Sequence, residues 1–233
     1  MAGLLKGSAC RSLLRSKAGR LLPSERQQPG VVAACGDDHA LRPVRQALVF
    51  VRQRHDGQFR KGTNIPYIAH LLSTAALVLE GGGDEEQAIA GLLHDTLEEY
   101  EVTKVTADDI VKEFGERVAR LVQDCSDSEP GKKEDKWRVR KKRYLAALKT
   151  HDMDSLLVAN ADKLHNARAI LADYRKEGED LWSRFSNESD PLWYYPKLAK
   201  IFRKRSTPLA SEFDRVVGKL VALVERTRRG QPE

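Results

Sequence analysis

The sequence predicts an all-α protein with a single helical domain that begins at about residue 40. Apolar residues recur every three or four positions along most of the chain, as they do on the buried face of a helix. No segment of convincing length shows the alternation of a strand, and there is no internal repeat. With 233 residues, 41% of them apolar, the chain can bury a sizeable core, which excludes a disordered protein.

Two helices are predicted at the start of this domain. The first precedes the polar stretch HDGQFRKGTNIPY, and its apolar positions lie at helical spacing: Val44, Leu48 and Val51. The second runs from about residue 66 to residue 80, with Pro66 in its first turn, where a missing amide hydrogen is tolerated. Three consecutive glycines, residues 81–83, end this helix.

The next two helices have clear start signals. The third is predicted over DEEQAIAGLLHDTLEEY, from Asp84 to Tyr100, and its acidic first turn complements the positive end of the helix dipole. The fourth, TADDIVKEFG, begins with Thr106 and Asp109 at the spacing of a capping box, and Gly115 closes it.

The remaining helices are predicted on both sides of the loop SEPGKKEDK. They cover residues 116–124, 137–149 and 155–174 and the segments LWYYPKLAKIF and LASEFDRVVGKLVALVERTRR.

The basic charge is concentrated near the amino terminus. The formal net charge of +6 prompts a nucleic-acid hypothesis, but residues 1–30 hold six basic residues and one acidic residue, so the rest is nearly neutral. This distribution argues against a nucleic-acid partner. Residues 1–40 are predicted to be a basic segment that is disordered, targeting, or translated from an upstream start codon, and residues 41–229 are the predicted domain.

Cysteine usage indicates a reducing compartment. Cys10, Cys35 and Cys125 include no CxxC spacing, which argues against a disulfide framework and against a zinc ribbon. The longest uncharged stretch, residues 62–79, has an apolar part too short to cross about 30 Å of hydrocarbon. We expect a cytoplasmic protein without a membrane partner, or an organellar one if residues 1–40 are a transit peptide. The sequence does not determine whether the protein forms a homo-oligomer.

Three polar clusters interrupt the apolar helices, and burying such groups is costly unless they find partners. The clusters are His70, then His94 with Asp95, and then Asp162. Two imidazoles and two carboxylates from three helices form a mixed nitrogen and oxygen set that suits a divalent cation with open positions for water. A cation in such a set makes water more acidic, which is typical of a hydrolytic site.

Other polar residues accompany this predicted ligand set. Glu98 and Glu99 lie about one helical turn beyond the His-Asp pair, so their carboxylates can orient a water or carry protons. Arg60 and Lys61 lie just before the second helix, and cations beside a metal site suit a substrate that bears phosphate.

Two further features have mainly structural interpretations. The basic run at residues 132–143 is typical of a solvated loop and helix face, with a rim for polyanionic ligands as the alternative. The carboxyl-terminal aromatic residues are expected in the core or on a partner-facing patch: Trp182, Trp193, Tyr194 and Tyr195.

Four sequence blocks resemble a known family in their order and separation: GQFRKGTNIPYIAH, GLLHDTLEE, FGERVARLVQDCSD and ANADKLHNAR. Over about residues 41–200 the chain is similar to the HD-domain hydrolases of the RelA/SpoT alarmone family, especially to stand-alone small alarmone hydrolases. The resemblance implies an all-α fold and a divalent metal, typically manganese. The implied reaction removes the 3′-pyrophosphate from guanosine tetra- or pentaphosphate and yields GDP or GTP and pyrophosphate.

The resemblance also implies a role for individual residues. It implies that His70, His94, Asp95 and Asp162 are the metal ligands. It also implies that Glu98 and Glu99 assist the attacking water. It further implies that the nucleotide is contacted by Arg60, Lys61 and Asn166.

Two residues depart from the family pattern. Glu99 replaces the usual aspartate, and its extra methylene moves the carboxylate; Leu71 replaces a frequent proline. The metal set leaves other substrates open: an adenosine alarmone, the 2′-phosphate of NADPH or a nucleoside 5′-phosphate. A non-catalytic nucleotide sensor is a further alternative, suggested by the Glu99 departure.

Overall fold

The computed structural model describes residues 42–127, 136–186 and 189–230. Over these ranges the chain forms ten α-helices and one 3₁₀ segment, and its only β pairing is an isolated bridge between Phe59 and Pro66. The all-α prediction is confirmed. None of the described helices is long and apolar enough to cross a bilayer. The bounds are α1 Arg42–Arg54, α2 Ile68–Glu80, α3 Glu85–Leu93, α4 Tyr100–Thr103, α5 Ala107–Phe114, α6 Glu116–Cys125, α7 Trp137–Ala147, α8 Met153–Glu177, the 3₁₀ segment Gly178–Arg184, α9 Pro191–Arg205 and α10 Ala210–Arg228.

Three features discussed from the sequence lie outside the described residues. They are the segment of residues 1–40, the cysteines Cys10 and Cys35 within it, and all but the last residue of the loop SEPGKKEDK.

Polar side chains cap the first turns of α3 and α5 at the predicted positions. Asp84 accepts the backbone N–H of Gln87 at 2.9 Å, and the side chain of Gln87 accepts the backbone N–H of Asp84 in return. Thr106 and Asp109 form the same reciprocal pair at the start of α5. Each pair satisfies two amide hydrogens that the first turn of a helix leaves free.

The third helix ends earlier than the sequence predicts. We expected one helix through Tyr100, but α3 ends at Leu93 and turns follow it. The backbone N–H and the hydroxyl of Thr96 both donate to the carbonyl of Leu93, at 2.9 and 2.6 Å, which replaces the i to i−4 pattern. The prediction of a continuous helix was therefore wrong, and His94 and Asp95 lie just beyond a helix end.

The long helix α8 lies at the centre of the core. It contacts α2, α3, α6, α9, α10 and the 3₁₀ segment. Leu156 and Leu164 on this helix are fully buried. A polar group in the middle of such a helix needs partners, so Asp162 of α8 marks the place where a polar site is built into the core.

Helices α2 and α3 pack closely where Gly91 of α3 faces α2. A Cβ at Gly91 would lie 3.1 Å from the Cα of Ala75, closer than side chains normally approach backbone atoms. The absence of a side chain at this position lets the two helices approach, and this brings His70 of α2 near His94 at the end of α3.

Candidate metal centre

Four of the predicted residues converge where α2, the end of α3 and α8 meet. His70, His94 and Asp162 are each only 2% exposed, and each offers a ligand atom within 4.8 Å of the others. The Nε2 atoms of the two histidines are 3.1 Å apart. Asp95 adds its Oδ2 atom 3.0 Å from Nε2 of His94 and 3.3 Å from Nε2 of His70. The structure therefore brings the four predicted ligands to one point.

Hydrogen bonds on the far side of each ring determine which nitrogen faces this point. Nδ1 of His94 lies 2.8 Å from the carbonyl oxygen of Gly91, which only accepts, so Nδ1 carries a hydrogen, and in the neutral ring Nε2 has the lone pair. Nδ1 of His70 lies 2.7 Å from Nδ1 of His165. When His70 donates in this contact, its Nε2 also turns a lone pair toward the cluster.

The chemistry of the donor set fits a divalent cation. Two imidazole nitrogens and two carboxylates point at one place between the helices, where the two negative charges require a positive charge, either a proton on a ring or a cation. Mixed nitrogen and oxygen ligands suit borderline divalent ions such as zinc, iron and manganese. The cluster is therefore a candidate site for such an ion.

The carboxylates of the cluster are ionised in spite of their burial. Burial by itself raises the pKa of Asp162, but the ammonium of Lys163 and the ring of His94 hold that pKa well below its ordinary value. For Asp95, burial is likewise outweighed by His94 and His70, so its pKa is also low. The same attraction raises the pKa of His94 although burial opposes it. Without a cation, a proton on His94 therefore balances part of the negative charge, and a bound cation would take the place of that proton.

A second layer of side chains orients these carboxylates. The hydroxyl of Tyr67 donates to Oδ2 of Asp95 at 2.7 Å. Nζ of Lys163 lies 2.6 Å from Oδ2 of Asp162, and the side chain of Asn166 donates to Oδ1 at 2.6 Å. Such contacts tune metal sites, because they hold each ligand oxygen in place.

One cavity of about 360 Å³ opens onto the cluster and contains the remaining predicted residues. Arg60, Lys61 and Asn166 line it together with Glu98 and Glu99. Nη2 of Arg60 donates to Oδ1 of Asn166 at 2.8 Å, so the guanidinium is held close to helix α8. Each residue that the sequence predicts for the site therefore lies in the cluster or in this cavity.

The two glutamates differ in their surroundings. Oε1 of Glu98 accepts the backbone N–H of Asp127 at 2.8 Å, and burial, followed by the charge of Asp127, raises the pKa of Glu98 to about 7. Oε2 of Glu99 accepts from the side chain of Gln58 at 3.1 Å. Glu98 can exchange a proton near neutral pH, and Glu99 accepts a hydrogen bond from Gln58.

Several residues around the cluster were not assigned a role from the sequence. Tyr67, His165 and Lys163 contact the predicted ligands directly. All three lie within the quoted sequence blocks, so their proximity to the ligands in sequence was the available signal. Lys163 contacts its neighbour Asp162, but the partners of Tyr67 and His165 could not be read from the sequence, because they lie 28 and 95 positions away.

The basic run and the aromatic residues combine core and cavity positions. Arg140 and Lys141 of α7 pair with the buried carboxylate of Asp127, so this part of the run is not simply a solvated face. Tyr194 and Tyr195 are buried as expected, and they also line the cavity.

The HD domain model matches residues 47–191, well over half of the chain. The chain belongs to the HD domain family. The cluster of His70, His94, Asp95 and Asp162 lies within the matched part of this HD domain.

Curated relatives of this HD domain include enzymes of alarmone metabolism. The chain is 36% identical over 135 residues to the guanosine-3′,5′-bis(diphosphate) 3′-pyrophosphohydrolase of Aquifex aeolicus, covering 58% of this chain and 18% of that protein. It is 32% identical over 132 residues to the bifunctional (p)ppGpp synthase/hydrolase SpoT of Escherichia coli, covering 56% and 18%. The resemblance to the RelA/SpoT family is confirmed, and the chain spans 18% of the length of each of these relatives.

Two solved structures share the fold of this HD domain. A Listeria monocytogenes protein superimposes with a TM-score of 0.55 at 29% identity, covering 68% of this chain and 99% of that one. A metazoan ortholog of SpoT, described as hydrolysing ppGpp, superimposes with a TM-score of 0.50 at 24% identity, covering 70% and 96%. At that identity the second likeness shows the fold alone.

Proposed function

We propose that this HD domain is a metal-dependent hydrolase that removes the 3′-pyrophosphate from guanosine tetra- or pentaphosphate and releases GDP or GTP and pyrophosphate. The observation that carries the proposal is a single cavity whose lining combines residues of the histidine and aspartate cluster with the cations Arg60 and Lys61. The activities for which the similar Aquifex aeolicus and Escherichia coli proteins are named support the choice of substrate.

The proposed metal ligands are His70, His94, Asp95 and Asp162, and the proposed ion is Mn²⁺. Their burial and converging lone pairs support this assignment. When bound, a divalent cation supplies Lewis-acid chemistry: it makes water more acidic and neutralises negative charge on a phosphate group.

Glu98 and Glu99 are proposed to activate and orient the attacking water. The oxygen of the water forms a bond to the phosphorus that is linked to the 3′ oxygen, and the bond between that phosphorus and the 3′ oxygen breaks. Glu98, with a pKa of about 7, can accept the proton of the water and return a proton to the 3′ oxygen at neutral pH. Glu99 orients the water through its carboxylate.

Arg60, Lys61 and Asn166 are proposed to hold the nucleotide. The hydrogen bond from Arg60 to Asn166 fixes a planar guanidinium at the cavity wall, where it can pair with a phosphate or stack on a base. Lys61 is exposed beside it and can contribute a mobile positive charge to the phosphate groups.

We further propose that residues 41–229 contain the complete hydrolase and that it works in the cytoplasm. Deletion of residues 1–35 should then leave turnover unchanged. A deletion variant that is folded but inactive would contradict this division.

The test uses purified full-length protein with MnCl₂ and a panel of guanosine and adenosine 3′-pyrophosphates, NADPH and nucleoside monophosphates, with products separated by chromatography. We expect GDP or GTP and pyrophosphate, and loss of turnover in Asp95→Asn. Asp108→Ala, which removes an exposed carboxylate on α5, is the control that keeps activity. Turnover of another panel member would reassign the substrate, and tight binding without product would indicate a sensor.

A further inference from the structure

Gln58 lies in the loop between α1 and α2 and is fixed there by its backbone. Its N–H donates to the carbonyl of His55 at 3.2 Å, and its carbonyl accepts the N–H of Tyr67 at 2.9 Å. The adjacent bridge between Phe59 and Pro66 closes this loop against the start of α2. The side chain of Gln58 therefore starts from a defined backbone position beside the cavity.

The side-chain amide of Gln58 connects a buried histidine to Glu99. Nε2 of Gln58 lies 3.1 Å from Oε2 of Glu99, and Oε1 of Gln58 lies 2.6 Å from Nδ1 of His55. The NH₂ group donates to Glu99, and the amide oxygen faces His55. Nδ1 of His55 then carries the hydrogen, and this contact prevents the amide from flipping.

His55 is held firmly enough to fix that amide. It is 4% exposed, and its ring stacks on the ring of Tyr67 with centroids 5.2 Å apart and planes 12° apart. Tyr67 in turn donates to Asp95 at 2.7 Å. The chain of contacts from His55 through Gln58 to Glu99 is thus tied at both ends to the metal cluster and its cavity.

We propose that Gln58 is a positioning residue that holds the Glu99 carboxylate toward the attacking water. The proposal rests on the proposed hydrolase function, because it gives Glu99 its role. It also accounts for the glutamate at position 99: in this chain the longer side chain reaches the amide of Gln58, 41 residues earlier. An aspartate would place the carboxylate one methylene further from that donor.

The test is a mutant cycle in the full chain with MnCl₂. Gln58→Ala removes the donor, and we expect kcat to fall about tenfold or more with KM within about twofold, because the contact orients a charged group and does not bind the nucleotide. In a Glu99→Ala background, Gln58→Ala should cause no further loss of kcat. Glu99→Asp should lower kcat in the wild-type background and have a smaller effect when Gln58 is already alanine.

Matched variants separate positioning from folding. Gln53→Ala removes an exposed glutamine of α1 and should leave kcat and KM unchanged. If Gln58→Ala does not fold, Gln58→Met keeps the length of the side chain without its donor and takes its place. A merely structural role of Gln58 would displace the Arg60 loop and raise KM instead of lowering kcat.

The cycle is measured on whichever phosphate ester of the panel the wild type hydrolyses. Turnover of an ester other than a guanosine 3′-pyrophosphate would overturn the proposed substrate, while the cycle would still decide the role of Gln58. Additive losses of kcat, or a rise in KM alone, would overturn the role of Gln58 and leave the proposed function intact. No turnover of any panel member by the wild type would overturn both.

Discussion

The Nδ1 atoms of His70 and His165 lie 2.7 Å apart, so one of the two rings donates a hydrogen bond to the other. For His70 to offer Nε2 to a cation, its own Nδ1 must carry the hydrogen. His165 accepts it as a neutral ring, since burial, His70 and Arg60 lower the pKa of His165 to about 4. A residue outside the proposed ligand set thereby decides which nitrogen of His70 has its lone pair toward the cluster.

Replacement of His165 should weaken metal binding at the proposed centre without removing a proposed ligand. His165→Ala is expected to lower Mn²⁺ affinity by about 10- to 100-fold, the usual effect of losing the partner of a metal-bound histidine. Isothermal titration with MnCl₂ measures it. His151→Ala is the control, because His151 lies near Asp124 instead. Equal affinities for the two variants would show that His165 does not orient His70.

Metal binding should stabilise the protein, because the proposed ligand atoms are brought together only in the folded state. At a free Mn²⁺ concentration of about 100 times the Kd, linkage predicts a gain of about 2.7 kcal/mol in the free energy of unfolding. Thermal unfolding with MnCl₂ and with EDTA measures the gain. His70→Ala should lose most of it, and an equal gain in that variant would place the metal elsewhere.

Gly91→Ala should separate α2 from α3. Its Cβ would meet the Cα of Ala75 at 3.1 Å, so we expect a loss of about 1–3 kcal/mol in the free energy of unfolding and weaker Mn²⁺ binding. Gly218→Ala on α10 is the matched control, because open space surrounds that position. It should stabilise the protein by about 0.5–1 kcal/mol through helix propensity. Urea unfolding measures the change in the free energy of unfolding for both variants. Two changes of the same sign would contradict the prediction.

Gly62→Ala should disturb the loop that carries Arg60 and Lys61. Gly62 has φ +71°, and an added Cβ would lie 2.7 Å from Cδ of Arg184, which is paired with Asp173. Gly82→Ala has the same backbone strain at φ +83° but meets no atom within 4 Å. Gly62→Ala should therefore lose more stability than Gly82→Ala, and only Gly62→Ala should raise KM. Urea unfolding and steady-state kinetics test this, and similar effects of the two variants would exclude a role for the Arg184 contact.

Glu98 should make stability depend on pH. Its pKa is about 7 in the folded protein against an ordinary value of 4.5, so between these values the folded state binds more protons than the unfolded state. Its contribution to stability is therefore complete below pH 4.5 and lost as pH rises through 7. The loss is about 3 kcal/mol at most, from about 1.4 kcal/mol per pKa unit.

The comparison of wild type with Glu98→Gln isolates this contribution. Urea unfolding in EDTA at pH 5 and pH 8 should show Glu98→Gln becoming more stable relative to wild type as the pH rises. A difference between the two proteins that does not change with pH would mean that Glu98 titrates near its ordinary value.

The helices and their boundaries follow largely from local sequence. Apolar spacing, the Thr106 and Asp109 pair and the glycines after α2 act over one or two turns, so they can be recognised without the fold. The end of α3 could not be recognised in this way. It depends on the Thr96 hydroxyl bonding the carbonyl of Leu93, a local choice that competes closely with continued helix.

The sequence by itself determined the helical fold class and the residue types available for a metal site and a phosphate-bearing ligand, because spacing and burial cost act within single segments. Only the tertiary structure decided which nitrogen of His70 faces the cluster and which donor holds Glu99. These contacts join atoms of residues 95 and 41 positions apart, and their geometry exists only after the helices pack. Hydrogen bonds depend on angstrom distances between such residues, which no periodicity along the chain encodes.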